Sequence, residues 1–319
     1  MSIDVTFQAD ESVEMEEQST GAVLLVRPAA FGFNAEAAQS NVFAHKAREA
    51  GVEKKAQAEF DRLATQLSDA GVEALVLDDS AEPAKPDAVF PNNWVSFHAD
   101  GTMALYPMAT EPRRLERRVE EVRALVENAG FRVSQVIDLS LHEEQRQFLE
   151  GTGSLVLDRP RRRSYASLGP RTSAKAIADF DRQLGYSTFA FHARDPGGRP
   201  IYHTNVLLSL GTRFAVLCLE AVAPEKRASL VAEIEESGRK IVELSFAQLR
   251  RFGCNLLELM GKRGPLIAMS EKARSNLRPD QLRALEGFGE LLAVDIPTIE
   301  AVGGGSVRCM IAEVHLPRH

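Results

Sequence analysis

A unit that recurs five times constrains the fold of this chain more than any other feature. Each copy runs an amphipathic helix into a glycine, then an apolar strand, then a short polar motif about twenty residues further on. The glycines are Gly71, Gly130, Gly185, Gly238 and Gly289, separated by 59, 55, 53 and 51 residues. The motifs are FPNNW (residues 90–94), LEGTG (149–153), HTNV (203–206), GCNLL (253–257) and GGGSVRC (303–309). Repeats of one size assemble around a shared core, because a single unit cannot bury its apolar face alone. Arranged radially, five such units bring their polar motifs to equivalent places where they meet at the centre.

The helical periodicity is explicit. Ala56, Phe60, Leu63 and Leu67 precede Gly71, which suits a left-handed helix cap, and Leu115, Val119, Val122 and Val126 precede Gly130. Ile177, Phe180 and Leu184 mark the third helix, Leu230, Val231 and Ile234 the fourth, and Leu282, Leu285 and Phe288 the fifth. Pro224 suits the start of the fourth. A first strand is expected at residues 22–27, and short strands follow the polar motifs at 94–97, 154–157, 206–210, 255–260 and 310–316. The chain therefore reads as α/β throughout. No Pro- or Ser-rich linker divides it, so residues 21–319 are expected to form one catalytic domain. Residues 1–20, rich in Asp, Glu, Gln and Ser, read as an acidic, mobile tail without chemistry.

Composition removes several function classes. A net charge of −7 argues against a nucleic-acid binder, which usually carries a basic patch. The one dense basic run, Arg159 with Arg161 to Arg163, reads as a solvated turn or a clamp for a substrate carboxylate. The longest apolar stretches are strand-sized, so no membrane span is expected. Three cysteines cannot build a disulfide framework, and with no secretory signal at the N-terminus they favour a reducing, cytoplasmic setting. The seven histidines are scattered without zinc-like spacing, so neither a metal nor a cofactor is expected.

Three residue types in the motifs carry chemistry. Cys309 follows Gly303, Gly304 and Gly305, a run that lets backbone approach a ligand closely. Arg308 beside it would favour the thiolate if its side chain turns inward, although a buried cysteine at a strand start fits the same residues. His203 falls at a repeat position matching those of Glu150 and Cys309. An imidazole there would supply the acid and base a thiol mechanism needs, and a carboxylate would orient it. Cys218 and Cys254 read as core. Asn93 and Asn205 bear on the substrate: amides donate and accept hydrogen bonds, which matches a neutral ureido group, whereas a guanidinium calls for carboxylates.

With FPNNWVSFH, FLEGTGSLVLD, HTNVLLSLG and GGGSVRCM in that order, the chain resembles the amidinotransferase, or pentein, superfamily over about residues 20–319. Within it the sequence is most similar to the CtlX-type citrulline hydrolases. That resemblance implies a five-bladed α/β propeller of ββαβ repeats, with Cys309 as nucleophile, Glu150 as the catalytic carboxylate and His203 as the acid and base. Arginine deiminases carry substrate-binding aspartates where this chain has Asn93, in the pair Asn92-Asn93, and Asn205. The expectation is a cysteine hydrolase that converts L-citrulline to L-ornithine, carbon dioxide and ammonia through a thiocarbamate on Cys309. Asn92, Asn93, Asn205 and Arg308 would serve the substrate, with Arg27, Arg159 and Arg163 as candidates for its α-amino and α-carboxylate ends. The alternatives are an arginine deiminase or dimethylarginine hydrolase-like enzyme, and a non-catalytic binding module of the same fold. The expected partner is a small amino acid, and self-association stays open.

Overall fold

The computed structural model describes residues 16–46 and 50–319. Within them each repeat becomes one three-stranded sheet covered by a helix. The strands are β1 (Ala22–Arg27), β2 (Glu73–Asp78), β3 (Val95–Phe97), β4 (Thr102–Leu105), β5 (Gln135–Asp138), β6 (Leu155–Asp158), β7 (Arg163–Ser167) and β8 (Ser187–Phe191). They continue as β9 (Leu208–Leu210), β10 (Phe214–Leu217), β11 (Lys240–Glu243), β12 (Leu257–Gly261), β13 (Gly264–Ser270), β14 (Glu290–Val294) and β15 (Ala312–Glu313). The sheets are β3-β4-β5, β6-β7-β8, β9-β10-β11, β12-β13-β14 and β15-β1-β2. In each, the first two strands pair antiparallel and the last two parallel, which requires a crossover helix between them. The first strands of neighbouring sheets touch: β15 with β3, β6 with β9 and β9 with β12. This is the five-bladed α/β propeller that the resemblance implies.

The crossover helices run Val52–Asp69, Val119–Asn128, Ala174–Leu184, Pro224–Glu236 and Pro279–Glu286. The first buries Ala56, Phe60, Leu63 and Leu67, the face that the periodicity picks out. The second starts later than expected, and Leu115 lies ahead of it, half exposed. Gly71 has φ +89°, and a Cβ on it would lie 2.6 Å from the Lys262 side chain, so both conformation and space demand glycine. Gly289 differs. It has no positive φ, and its need is space alone, since a Cβ would sit 2.7 Å from the Pro265 carbonyl. The expected strand at 310–316 shrinks to Ala312–Glu313 and completes the first blade instead of the last, pairing Val23 with Glu313 and Leu24 with Ala312.

Residues 1–15 of the expected tail lie outside the described residues. Glu16 to Thr20 pack into the propeller. The Gln18 amide donates to the Leu157 carbonyl at 2.9 Å, the Thr20 hydroxyl donates to the Val314 carbonyl at 2.7 Å, and the Met260 amide donates to the Thr20 carbonyl at 2.9 Å. Glu16 pairs with the buried guanidinium of Arg159, whose other charged neighbour, Glu313, lies 3.7 Å away. Polar side chains in this segment are buried because blade strands supply their partners. Among the described residues no helix is long and apolar enough to cross a membrane.

Removing Glu16 leaves Arg159 buried with a weaker partner. Glu16→Ala is therefore expected to lower unfolding free energy by about 3 kcal/mol, read as a shift of the urea midpoint at unchanged slope.

Candidate active site

The polar motifs fold as short turns just ahead of the inner strands: Pro91–Asn93 before β3, Gly151–Ser154 before β6, Thr204–Val206 before β9 and Val307–Met310 before β15. Asn93, Gly153, Asn205, Asn255 and Cys309 all lie in these motifs, two or three residues ahead of the strand that follows. Adjacent residues of a tight turn project in different directions. One side chain per turn therefore points to the axis, and its neighbour does not.

The sulfur of Cys309 accepts from the side-chain amides of Asn255 at 3.3 Å and Asn205 at 3.6 Å. The Asn255 amide also donates to the Asn205 carbonyl at 3.0 Å, which ties the two turns together. Two donors aimed at one sulfur bind more strongly once that sulfur carries negative charge. Asn205 thus bears on the Cys309 sulfur from behind. It does not line the cavity into which Cys309 and His203 both open.

Glu150 and His203 form the second centre. Nε2 of His203 lies 2.7 Å from Oε2 of Glu150, and both side chains are buried. A carboxylate only accepts, so Nε2 carries the proton and Nδ1 presents a lone pair. The Arg171 guanidinium donates to the same Glu150 oxygen at 3.2 Å, and the Ala109 amide donates to the other at 3.0 Å. Burial alone would raise the Glu150 carboxyl. The Arg171 charge, the bond to His203 and the nearby Arg113 together hold it well below the usual range. Burial lowers His203 to about 4, against the upward pull of Glu150. A neutral imidazole with its free nitrogen available is the form that accepts a proton from a thiol.

The remaining walls hold residues that the motifs did not reveal. Asp87 lines the cavity beside Asn93, with its carboxylate accepting from Asn34 at 2.8 Å and 3.9 Å from Arg113. Arg113 is committed: it binds Glu116 through two bonds of 2.9 Å and donates to Oδ1 of Asn93 at 2.8 Å. That bond fixes the Asn93 amide, leaving its buried Nδ2 without a partner. Arg171 donates to the Ala37 carbonyl at 2.7 Å and the Ser40 hydroxyl at 2.9 Å, holding a strap of chain over the site. The Asn41 amide, at 3.3 and 3.2 Å from the Gly303 and Gly304 carbonyls, fastens the strap on the other side. The cavity beneath is about 20 Å³, roughly the room one water needs.

Several expected residues lie elsewhere. Arg308 does not turn inward: it donates to the Ile311 carbonyl at 3.0 Å and to Glu313 at 2.9 Å, on the far side of its turn from the Cys309 cavity. Asn92 is fully buried but outside the cavity wall, its amide unpartnered. Arg27 pairs with Asp61 at the surface, Arg159 with Glu16, and Arg163 with Glu233, so none of the three reaches the site. Cys218 and Cys254 are buried, and burial raises Cys218 to about 12 and Cys254 well above the ordinary thiol value.

Two outcomes test this geometry. The His203 ring proton should titrate by NMR with a midpoint near pH 4, below the ordinary value of 6.5, and titration near 6.5 contradicts it. Because the unfolded chain then binds the extra proton, this residue's contribution to stability is fully present above pH 6.5 and shrinks as pH falls toward 4. Gly153→Ala would put a Cβ 2.3 Å from Asn93 Nδ2 and 2.8 Å from His203 Nδ1. Loss of most of the reactivity of Cys309 and its cavity is the expected result, measured by substrate turnover beside an unchanged circular dichroism spectrum.

Comparison with known proteins adds a family. The profile described as N,N dimethylarginine dimethylhydrolase, eukaryotic, matches residues 27–316. No curated protein matched the sequence. Among solved structures, the N-terminal domain of ArgZ, an arginine dihydrolase from the ornithine-ammonia cycle in cyanobacteria, is similar at TM-score 0.72 and 15% identity. The alignment covers 92% of this chain and 97% of that domain. Against whole ArgZ, at TM-score 0.71 and 16% identity, it covers 93% of this chain and 41% of that one. A dimethylarginine dimethylaminohydrolase captured as an adduct with 4-chloro-2-hydroxymethylpyridine is similar at TM-score 0.63 and 16% identity, over 92% of this chain and 98% of that one. At such identities these structures speak to the fold alone.

Proposed function

The chain belongs to the N,N dimethylarginine dimethylhydrolase, eukaryotic, family of the pentein superfamily, and from that membership we propose that it hydrolyses the guanidino carbon of a free, arginine-type amino acid. The observation that carries the reading is the charge balance of the buried site. Among the described residues, Asp87, Glu116 and Glu150 face two guanidinium groups, Arg113 and Arg171. Burial raises Asp87 and, despite Arg113, raises Glu116 to about 7, and the neighbouring carboxylates add to both rises. A substrate guanidinium would supply the missing positive charge. The expectation of amides without anions, drawn from Asn93 and Asn205, overlooked Asp87.

In this reading His203 Nδ1 takes the thiol proton as the Cys309 sulfur bonds to the guanidino carbon. The tetrahedral adduct then loses an amine, which leaves with the proton from His203. The resulting thiouronium on Cys309 is attacked by water, whose proton passes to Nδ1. Breaking the carbon–sulfur bond returns Cys309 and releases a ureido amino acid. Glu150 keeps Nε2 protonated and steadies the imidazolium formed in each transfer. Arg113 is saturated by Glu116 and Asn93, which leaves Arg171 for a substrate carboxylate once Ala37 and Ser40 release it.

A second reading, hydrolysis of citrulline to ornithine, is favoured by Asn93. Its Nδ2 is a donor without a partner in the cavity wall, and a ureido oxygen accepts where a guanidinium cannot. Incubation with arginine, asymmetric dimethylarginine and citrulline in parallel, followed by mass spectrometry of the products, separates the two. Citrulline formed from a guanidino substrate is the expected result, and ornithine formed from citrulline establishes the second reading. Turnover of none of the three, with an unreactive Cys309, favours a binding module. Cys309→Ser should lower any turnover by at least about a thousandfold.

A further inference from the structure

A second cavity, of about 450 Å³, lies on the outer side of the strap that covers Cys309. Its volume falls in the range of small-molecule sites. Phe43, Phe246, Phe252 and Tyr202 give it an aromatic wall, and only Tyr202 is shared with the catalytic cavity. Phe43, on the strap, packs against Phe252 at 5.0 Å and Tyr202 at 6.3 Å between ring centres. Phe252 has φ +61°, a left-handed conformation that a bulky side chain seldom takes, and it turns its ring into this wall.

The charges around the cavity are not balanced. Lys272 is neutralised by Glu300 at 3.3 Å and Arg199 by Asp195 at 2.9 Å. Among the described residues, Arg250 and His45 line the cavity with no side-chain hydrogen bond or ion pair. An aromatic wall beneath unpaired cationic and neutral donors suits a flat, apolar body that carries one anionic group.

Three short connections join this cavity to the nucleophile. Phe43 shares the strap with Asn41, whose side chain accepts from the Phe43 amide at 3.0 Å and clasps Gly303 and Gly304. The Phe252 carbonyl accepts from the Asn255 amide at 2.9 Å, and Asn255 donates to the Cys309 sulfur. Glu300 accepts from the Ser306 hydroxyl at 2.7 Å, and the Ser306 carbonyl accepts from the Cys309 amide at 2.9 Å. We propose that the outer cavity is an effector site for a small aromatic anion, whose binding holds the strap closed over Cys309. The direction follows from linkage: the cavity exists with the strap fastened, so a ligand that fills it favours that arrangement.

The probe is 8-anilinonaphthalene-1-sulfonate, titrated by fluorescence into the full chain. One saturable site per chain is expected, and at saturation iodoacetamide should alkylate Cys309 at least threefold more slowly, followed by peptide mass spectrometry. The exposed Arg250 lies outside the catalytic machinery, so Arg250→Glu should leave basal turnover unchanged while weakening probe binding at least tenfold and abolishing protection. Binding that does not saturate, binding unaffected by Arg250→Glu, or alkylation that is unchanged or faster with probe bound overturns the proposal. None of these readouts depends on which substrate Cys309 attacks.

Discussion

The two-residue pairing of Ala312 and Glu313 with Leu24 and Val23 is the contact on which this architecture depends. Without it the five blades form an open row with an unpaired edge at β1; with it they form a ring. Strand edges left open are costly, and closure removes this one. The same pairing fixes the cysteine of the site. Cys309 lies three residues before β15, so the register that closes the ring also places the sulfur among the turns of the other blades. Fold and site are therefore stabilised by one event. Glu313 contributes twice, through its strand register and through its bond to Arg308, which keeps that guanidinium out of the cavity.

The site is organised around Glu150 rather than around the sulfur. Its two oxygens receive His203, Arg171 and the Ala109 amide, so a carboxylate with no exposure stays ionised through hydrogen bonds and opposite charge. Each partner does something further with its remaining capacity. His203 turns its free nitrogen toward the cavity, Arg171 grips the strap, and Arg113 orients Asn93. Cover and imidazole are thus held by the same anion. Opening the strap at Ala37 and Ser40 loosens Arg171, and Arg171 helps to set the charge that steadies His203. With a cavity of about 20 Å³, such opening is a condition of any amino acid entering.

The repeat, the blade helices and the turns carrying Cys309, His203 and Glu150 were legible in the sequence because helical spacing and glycine placement repeat at even intervals. Asn255 lay in one of the five motifs, yet the one titratable group there, Cys254, read as core and pointed to no chemistry for its neighbour. Asp87, Arg113 and Arg171 lay in none. They reach the site from segments between the motifs, and no spacing relates an aspartate three residues before FPNNW to a buried arginine in the strap's anchor. Direction within a turn was also illegible. Asn92 and Arg308 sit beside residues that face the axis, and the tight winding sends them elsewhere. The N-terminal boundary failed for a different reason: acidic and polar residues from Glu16 onward read as solvated until Arg159 and the blade carbonyls are seen to receive them.

Function in this fold comes from breaking its symmetry. Within one residue of the same backbone position, five related turns place Asn93, Gly153, Asn205, Asn255 and Cys309, and a strictly repeated sequence would put the same few side chains in all five. Two of the asparagines donate to the sulfur. The third is turned by Arg113 so that only its donor is free. The glycine leaves space for that donor and for the His203 ring, where a single Cβ would collide with both. Each departure from the repeat therefore makes room for, charges or orients a neighbour, and none is intelligible alone. Asp87 completes this logic from outside the set, because a ring of neutral amides around a sulfur discriminates little between substrates of different charge. One carboxylate in the wall is enough to change which of them gains by leaving water.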